Sequence, residues 1–205
     1  MIYVTGDLHG NIDISKLNQK RFPQNKHLTK EDYVIVAGDF GLIWHNKNDE
    51  LYWRKWLSKK NFTTLFIDGN HENFNILDQY PVEYWNGGKV HRINESIIHL
   101  MRGQIFTING MKFFTFGGAS SHDREYRKEN YSWWSRELPN RMEYEEGIDN
   151  LSKHNWNVDI VLTHTCPASL IEKLEHFTNR KINKDPLIHY LETIKQRISY
   201  KQWYF

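Results

Sequence analysis

The chain has 205 residues, a formal net charge of +2, 39% hydrophobic residues and 25% charged residues. That is enough chain to bury one substantial core, and a charge balance this small gives no support to an extended nucleic-acid surface. A single cysteine, Cys166, excludes an internal disulfide and fits a reducing compartment, while no apolar stretch approaches the ~20 residues that cross a bilayer.

In chain order, the first element is the apolar run Ile2-Tyr3-Val4-Thr5, which predicts a buried strand and stops at Gly6-Asp7-Leu8-His9-Gly10. The strand follows Met1 directly, so no signal peptide is expected and the expected address is cytoplasmic. Ile12, Ile14 and Leu17 have roughly helical spacing and predict a helix over 12–21. A second strand, Tyr33-Val34-Ile35-Val36-Ala37, stops at Gly38-Asp39. Leu51, Tyr52, Trp56 and Leu57 then predict a helix over 49–60. The third strand, Leu65-Phe66-Ile67-Asp68, stops at Gly69-Asn70-His71-Glu72, with a short helix expected from about Glu72.

From about residue 89 to 117 strands follow one another. Asn109-Gly110 between Gln104–Ile108 and Met111–Phe116 is a strong hairpin signal. Gly117 to Arg124 then leads into a long aromatic and charged stretch through Tyr126, Arg127, Tyr131, Trp133, Trp134 and Glu137. Helices are predicted near 140–153, 167–176 and 185–198, with Pro167 and Pro186 in first turns. Between the first two of these helices, Asp159-Ile160-Val161-Leu162-Thr163 is a fourth strand that stops at His164, and Gln202–Phe205 reads as one more. No repeat or low-complexity linker divides the chain, so one domain over 1–205 is expected.

Four strands thus end on metal-binding side chains. In open α/β sheets ligand sites lie off the carboxyl ends of strands, so Asp7, His9, Asp39, Asn70, His71 and His164 are expected to converge there. Each has a plainer reading. Asp7 and Asp39, taken singly, are ordinary turn residues, and His164 is a core histidine bonded to a carbonyl. Glu72 reads as a helix first-turn carboxylate, Asp68 as a turn cap and Cys166 as inert packing. The order of all four blocks, each after a strand, favours the site.

Gly6-Asp7-Leu8-His9-Gly10, Gly38-Asp39-Phe40-Gly41, Gly69-Asn70-His71-Glu72 and Thr163-His164 resemble, in order, the signature blocks of calcineurin-like metallophosphoesterases. The resemblance implies an α/β sandwich of mixed β-sheets flanked by helices, and a dinuclear metal-dependent phosphoesterase. Mixed oxygen and nitrogen ligands suit two divalent transition ions, manganese first, with iron, zinc or nickel as alternatives. Asp39 would bridge them, Asp7 and His9 would complete one ion's set, and Asn70 and His164 would bind the other. A hydroxide formed at the metals would attack a phosphate ester in line, and His71 would protonate the leaving group. Arg124 and Arg127 are candidate substrate-binding residues, with Trp133 or Trp134 beside the leaving group; the alternative is a surface loop pinned by its tryptophans.

Two departures from the family pattern bear on function. The family's fifth block, Gly-His-x-His, would be expected to begin where the sequence reaches Phe205, so the domain reads as incomplete at that end. The stretch Phe40-Gly41-Leu42-Ile43-Trp44 also lacks the aspartate that orients the acid histidine in protein Ser/Thr phosphatases. A small phosphate ester is the expected substrate, with nucleic acid not favoured and no membrane partner. The contrasting reading is a non-catalytic module with a degraded site and incomplete metal occupancy. The 205-residue chain is expected to bind metal less firmly than one extended by a Gly-His-x-His segment, which metal content and turnover of the two chains would reveal. Full occupancy and undiminished turnover in the shorter chain would contradict it.

Overall fold

The protein is described from a computed structural model covering residues 1–179, 181–182 and 184–205. Strands β1 (Ile2–Thr5), β2 (Tyr33–Ala37) and β3 (Thr63–Ile67) pair in parallel, with helix α1 (Asn48–Ser58) between β2 and β3, and helix α2 (Phe74–Leu77) follows. Then come β4 (Val82–Trp85), β5 (Gly88–Asn94) and β6 (Ile97–Leu100), giving a six-stranded mixed sheet in the order β1-β2-β3-β6-β5-β4. The second sheet contains β7 (Gln104–Ile108), β8 (Met111–Phe116), β9 (Ile160–Thr163) and β10 (Gln202–Tyr204) in the order β10-β9-β8-β7. Helices α3 (Arg141–Lys153), α4 (Ala168–Thr178) and α5 (Pro186–Lys195) complete the chain. β10 lies parallel to β9, with Tyr204 opposite Leu162.

Alternation along the strands builds the layers. In β2, Ile35 points into the space between the sheets with Leu65, Ile67, Phe106, Phe113 and Leu162, while Val34 and Val36 face a second core. That second core packs Leu57 of α1 and Phe40 and Phe66 on the outer face of the six-stranded sheet. On the far side, Leu151 of α3 and Leu187, Leu191 and Ile194 of α5 cover Phe114, Phe116 and Val161. The result is a two-sheet sandwich flanked by helices. Asn109 and Gly110 have φ of 49° and 79°, the two positive values that a two-residue hairpin turn requires.

Several elements differ from expectation for local reasons. In place of a helix over 12–21, only short 3-10 turns form, at Ile14–Leu17 and Pro23–His27. β4 was not expected; it is an edge strand with alternating exposed and half-buried positions, so it lacks a continuous apolar run. Pro186 opens α5 behind the Asp185 cap as anticipated, whereas Pro167 is itself the residue before α4. Among the described residues no helix is long and apolar enough to cross a membrane.

Asp68 does not cap a turn. It is 1% exposed, and its carboxylate accepts from Arg102 Nε at 2.8 Å and faces His99 Nε2 at 3.1 Å. Burial alone would raise its pKa, but the Arg102 charge and the His99 hydrogen bond outweigh that and hold the carboxyl well below the usual range. His99 Nδ1 meets His91 Nδ1 at 3.1 Å, so one imidazole donates and the other accepts. Burial, helped by His99 beside it, lowers His91 to about 3. Its folded value lies below its unfolded one, so the unfolded chain binds the proton first as pH falls. Stability is therefore lost below about pH 6.5, by up to ~1.4 kcal/mol per pH unit, until the folded group titrates. Urea unfolding between pH 7 and 5 should have this slope, and His91→Phe should flatten it. An unchanged slope would contradict the assignment.

Candidate metal centre

Asp7 and His9 follow β1, Asp39 follows β2, Asn70 and His71 follow β3, and His164 follows β9. Three of these four loops lie at the parallel edge of one sheet and the fourth, bearing His164, reaches in from the other. The first two loops leave their strands through left-handed backbone: His9 has φ 45° and Asp39 φ 44°. Such conformations are uncommon outside glycine and concentrate at functional sites. Here hydrogen bonds fix them, since the Asp39 carbonyl accepts from the amides of Leu8 at 3.1 Å and His9 at 2.8 Å.

The Asp39 carboxylate, in a residue 3% exposed, lies among imidazoles. Its Oδ2 is 3.6 Å from His9 Nε2, and its Oδ1 is 3.4 Å from His164 Nε2 and accepts from the His71 amide at 2.8 Å. Asp7 lies 3.6 Å from His9 Nε2 and 3.7 Å from His164 Nδ1. One ligand atom each from His9, Asp39 and His71 can be drawn within 4.8 Å of one another. Donors on one ion at ~2.1 Å bond lengths stand roughly 3 to 3.5 Å apart. Apart from the His71 amide bond, these separations are close to what a shared cation requires. The two oxygens of Asp39 face different imidazoles. Together with the mixed carboxylate, amide and imidazole set, the residues present fit divalent transition metals.

Two glycines are dictated by close approach. A Cβ on Gly69 would lie 2.0 Å from Asp39 Oδ1, and one on Gly38, at φ 101°, would lie 1.9 Å from His164 Nδ1. His164 Nδ1 lies 3.0 Å from the Ala37 carbonyl oxygen, a contact that leaves Nε2 free to ligate. Burial disfavours its charged form, but the hydrogen bond and charge of Asp39, the Ala37 carbonyl and Asp7 prevail and raise it to about 9. For Asp39 the order is the same: burial raises, and the hydrogen bond and charge of His164 prevail and lower it. Burial also lowers His71; Asp39 opposes the shift, while Arg127 and His9 add to it.

Behind these side chains lie residues whose roles sequence alone misassigns. Glu72 is not in a helix first turn: α2 begins at Phe74 behind an Asn73 cap. Glu72 is fully buried and its Oε1 accepts from the amides of Phe40 at 2.7 Å and Gly41 at 3.4 Å, clasping the second ligand loop to the third. Burial and the nearby charge of Asp39 push its pKa well above the ordinary value against the Phe40 hydrogen bond, and no donor meets Oε2. Both observations favour the neutral acid.

Arg124 is directed at the buried carboxylate of Glu137, with its guanidinium 5.2 Å from the Trp133 ring. Arg127 pairs with Asp123 at 2.7 Å. Trp134 is buried against Trp44, ring centres 4.9 Å apart, and pins the aromatic stretch to the core. Trp44 in turn stacks beside His71, with ring centres 6.3 Å apart. Cys166 is buried among Ala168, Ile171 and Ile188, as packing.

A cavity of about 260 Å³ opens between Asn70 and His164 on one side and His122 and Asp185 on the other. A smaller one, about 210 Å³, adjoins His9, Trp44 and His71. A groove of about 790 Å³ around Arg54 and Tyr80 is lined by none of the candidate ligands.

The calcineurin-like phosphoesterase family model matches residues 1–190, and the chain belongs to that family. Among curated proteins it is similar to lariat debranching enzyme A of Xenopus laevis, 26% identical over 200 residues, covering 88% of this chain and 35% of the relative. It is also similar to the lariat debranching enzymes of Schizosaccharomyces pombe, 23% identical with 82% and 37% covered, and Gallus gallus, 24% identical with 88% and 34% covered. The chain spans about a third of the length of these relatives. No solved structure matches it.

A neutral Glu72 makes a specific demand on mutagenesis. Glu72→Gln keeps the acceptor for Phe40 and Gly41 and should change Tm by no more than about 4 °C. Glu72→Ala strands both amides and should cost ~1–3 kcal/mol or more, read by denaturant unfolding. Equal destabilisation by the two substitutions would show that Glu72 is held as a buried charge instead.

Proposed function

We propose that residues 1–205 form a single-domain, dinuclear metal-dependent phosphoesterase acting in the cytoplasm. The observation that carries this reading is the position of Asp39, buried, with one oxygen toward His9 and the other toward His164. Asp39 would bridge two divalent ions, manganese first; Asp7 and His9 would complete one set, and Asn70 and His164 the other. When bound, such ions polarise a phosphoryl oxygen and make a nucleophile available at neutral pH.

The chain's own groups account for the rest. The Asp39 carboxylate is oriented by the His71 amide, and His164 by the Ala37 carbonyl, so both enter the reaction with their geometry already fixed. His71 stands within 5.0 Å, ring to ring, of His9 and is walled by Trp44, which limits water around it. Its imidazole is our candidate for protonating the leaving oxygen. Its lowered pKa makes it a stronger donor while reducing the protonated fraction at neutral pH. The cavity beside Asn70 and His164 would receive one side of a small phosphate ester. Arg124 and Arg127, paired with Glu137 and Asp123, would bind substrate only by exchanging these carboxylate partners.

The kinship with lariat debranching enzymes brings polynucleotide esters into consideration beside small ones. Rates on an aryl phosphate monoester, an aryl diester and a branched oligonucleotide, each with Mn²⁺, would rank them. Asp39→Asn should abolish turnover on all three, because it removes the charge shared by both positions. His71→Ala should lower rates on esters with poor leaving groups at least about tenfold more than on aryl esters, since only the former need a proton. Equal losses across leaving groups would remove His71 from the acid role.

A further inference from the structure

Asn70 differs from the other candidate ligands in one chemical respect. Its two terminal atoms are not equivalent: the amide oxygen can hold a cation, and the amide nitrogen cannot. Something must decide which of them faces the metal centre, because the two orientations have the same shape. The structure contains a directed set of hydrogen bonds that makes this decision.

The set begins at Glu137, which is fully buried in the aromatic stretch. Its Oε1 accepts from the Ser121 amide at 2.9 Å and from the Arg124 guanidinium, and its Oε2 accepts from the Ser121 hydroxyl at 2.7 Å. A carboxylate met only by donors takes the hydroxyl proton of Ser121 for itself. The hydroxyl oxygen then has only lone pairs left for its other neighbour, Asn70, at 3.1 Å. Asn70 must therefore turn its NH2 toward Ser121, which leaves its carbonyl oxygen free of that contact, and Asn70 lines a cavity together with His164. Glu137 is itself fixed, since its main-chain carbonyl accepts from Arg102 Nη2 at 3.3 Å and Arg102 is bound to buried Asp68.

We propose that Ser121 and Glu137 are positioning residues that set the orientation of the Asn70 amide and thereby its ability to hold metal. The proposal rests on the reading of Asn70 as a metal ligand. It gives the aromatic stretch a function other than contact with substrate: it supplies the polarity of one ligand. It also gives Arg124 a place in that arrangement, as a further donor that keeps Glu137 an acceptor.

Direction of hydrogen bonding, as distinct from packing, can be isolated with an aspartate. In Asn70→Asp both terminal atoms are oxygens, so no orientation has to be chosen. The experiment is a calorimetric titration of the metal-free chain with Mn²⁺, for Asn70→Ala, Ser121→Ala, Glu137→Gln, Asn70→Asp and the double variant Asn70→Asp/Ser121→Ala. Thermal unfolding of each metal-free protein checks folding. Asn70→Ala should weaken binding. Ser121→Ala should also weaken it, by roughly 10- to 100-fold, as loss of a partner that orients a ligand does. Glu137→Gln should act in the same direction, because an amide at that place can donate to Ser121 and reverse the set. Relative to Asn70→Asp, the double variant should be weaker by less than about twofold.

The outcomes separate the two claims. If Asn70→Ala leaves Mn²⁺ affinity unchanged, the reading of Asn70 as a ligand fails and the proposal falls with it. If Asn70→Ala weakens binding but Ser121→Ala and Glu137→Gln do not, the ligand reading stands and the proposal is wrong. If Ser121→Ala weakens binding equally with asparagine or aspartate at position 70, Ser121 is a packing residue and the proposal is again overturned.

Discussion

The loop from Ala37 to Gly41 is the part to which every other segment bearing a candidate ligand is tied. The Asp39 carbonyl holds the Asp7–His9 loop through two amides, and the Asp39 carboxylate takes the His71 amide. The Ala37 carbonyl takes His164, and the amides of Phe40 and Gly41 are taken by Glu72. These bonds demand that Asp39 adopt a positive φ and that Gly38 and Gly69 lack side chains. Backbone strain of this kind persists only where the surroundings over-determine it. Here three strands, two buried carboxyls and a histidine from the opposite sheet supply that determination.

This places the centre at a seam. Asp7, His9, Asp39, Asn70 and His71 belong to the six-stranded sheet, and His164 to the four-stranded one. The set is complete only when the sheets pack in register through Ile35, Leu65, Ile67, Phe106, Phe113 and Leu162. Packing of the two sheets is therefore what brings His164 to Asp39. A polar layer adds to the apolar one. Asp68, Arg102, His99 and His91 are buried together, and Arg102 reaches the carbonyls of Arg136 and Glu137. Removing one partner would leave an uncompensated buried charge, at a cost of several kcal/mol, ~3–5 for a broken pair.

The strands and the candidate ligands were legible because both signals are local. A β-branched run followed by Gly-Asp, Gly-Asn-His or Thr-His can be read without knowing what lies across the fold, and the parallel sheet then carries the ends of those runs to one edge. The Asn109-Gly110 turn was legible for the same reason. The failures share the opposite property. Glu72 has the spacing of a helix-start carboxylate, and only the approach of Phe40 and Gly41 in three dimensions makes it an acceptor for the second loop. Asp68 looks like turn chemistry until Arg102 arrives from beyond β6. Periodicity over 12–21 predicts a helix, but this segment is held by turns packed under the sheet edge instead. The pairing of Arg124 with Glu137 is invisible in the sequence for the same reason.

Diffraction from crystals grown with Mn²⁺, with data collected at the manganese absorption edge, tests the central claim most directly. It predicts two anomalous peaks on either side of the Asp39 carboxylate, one near Asp7 and His9 and one near Asn70 and His164. A single peak, or peaks that do not share Asp39, would contradict a dinuclear centre built on this loop.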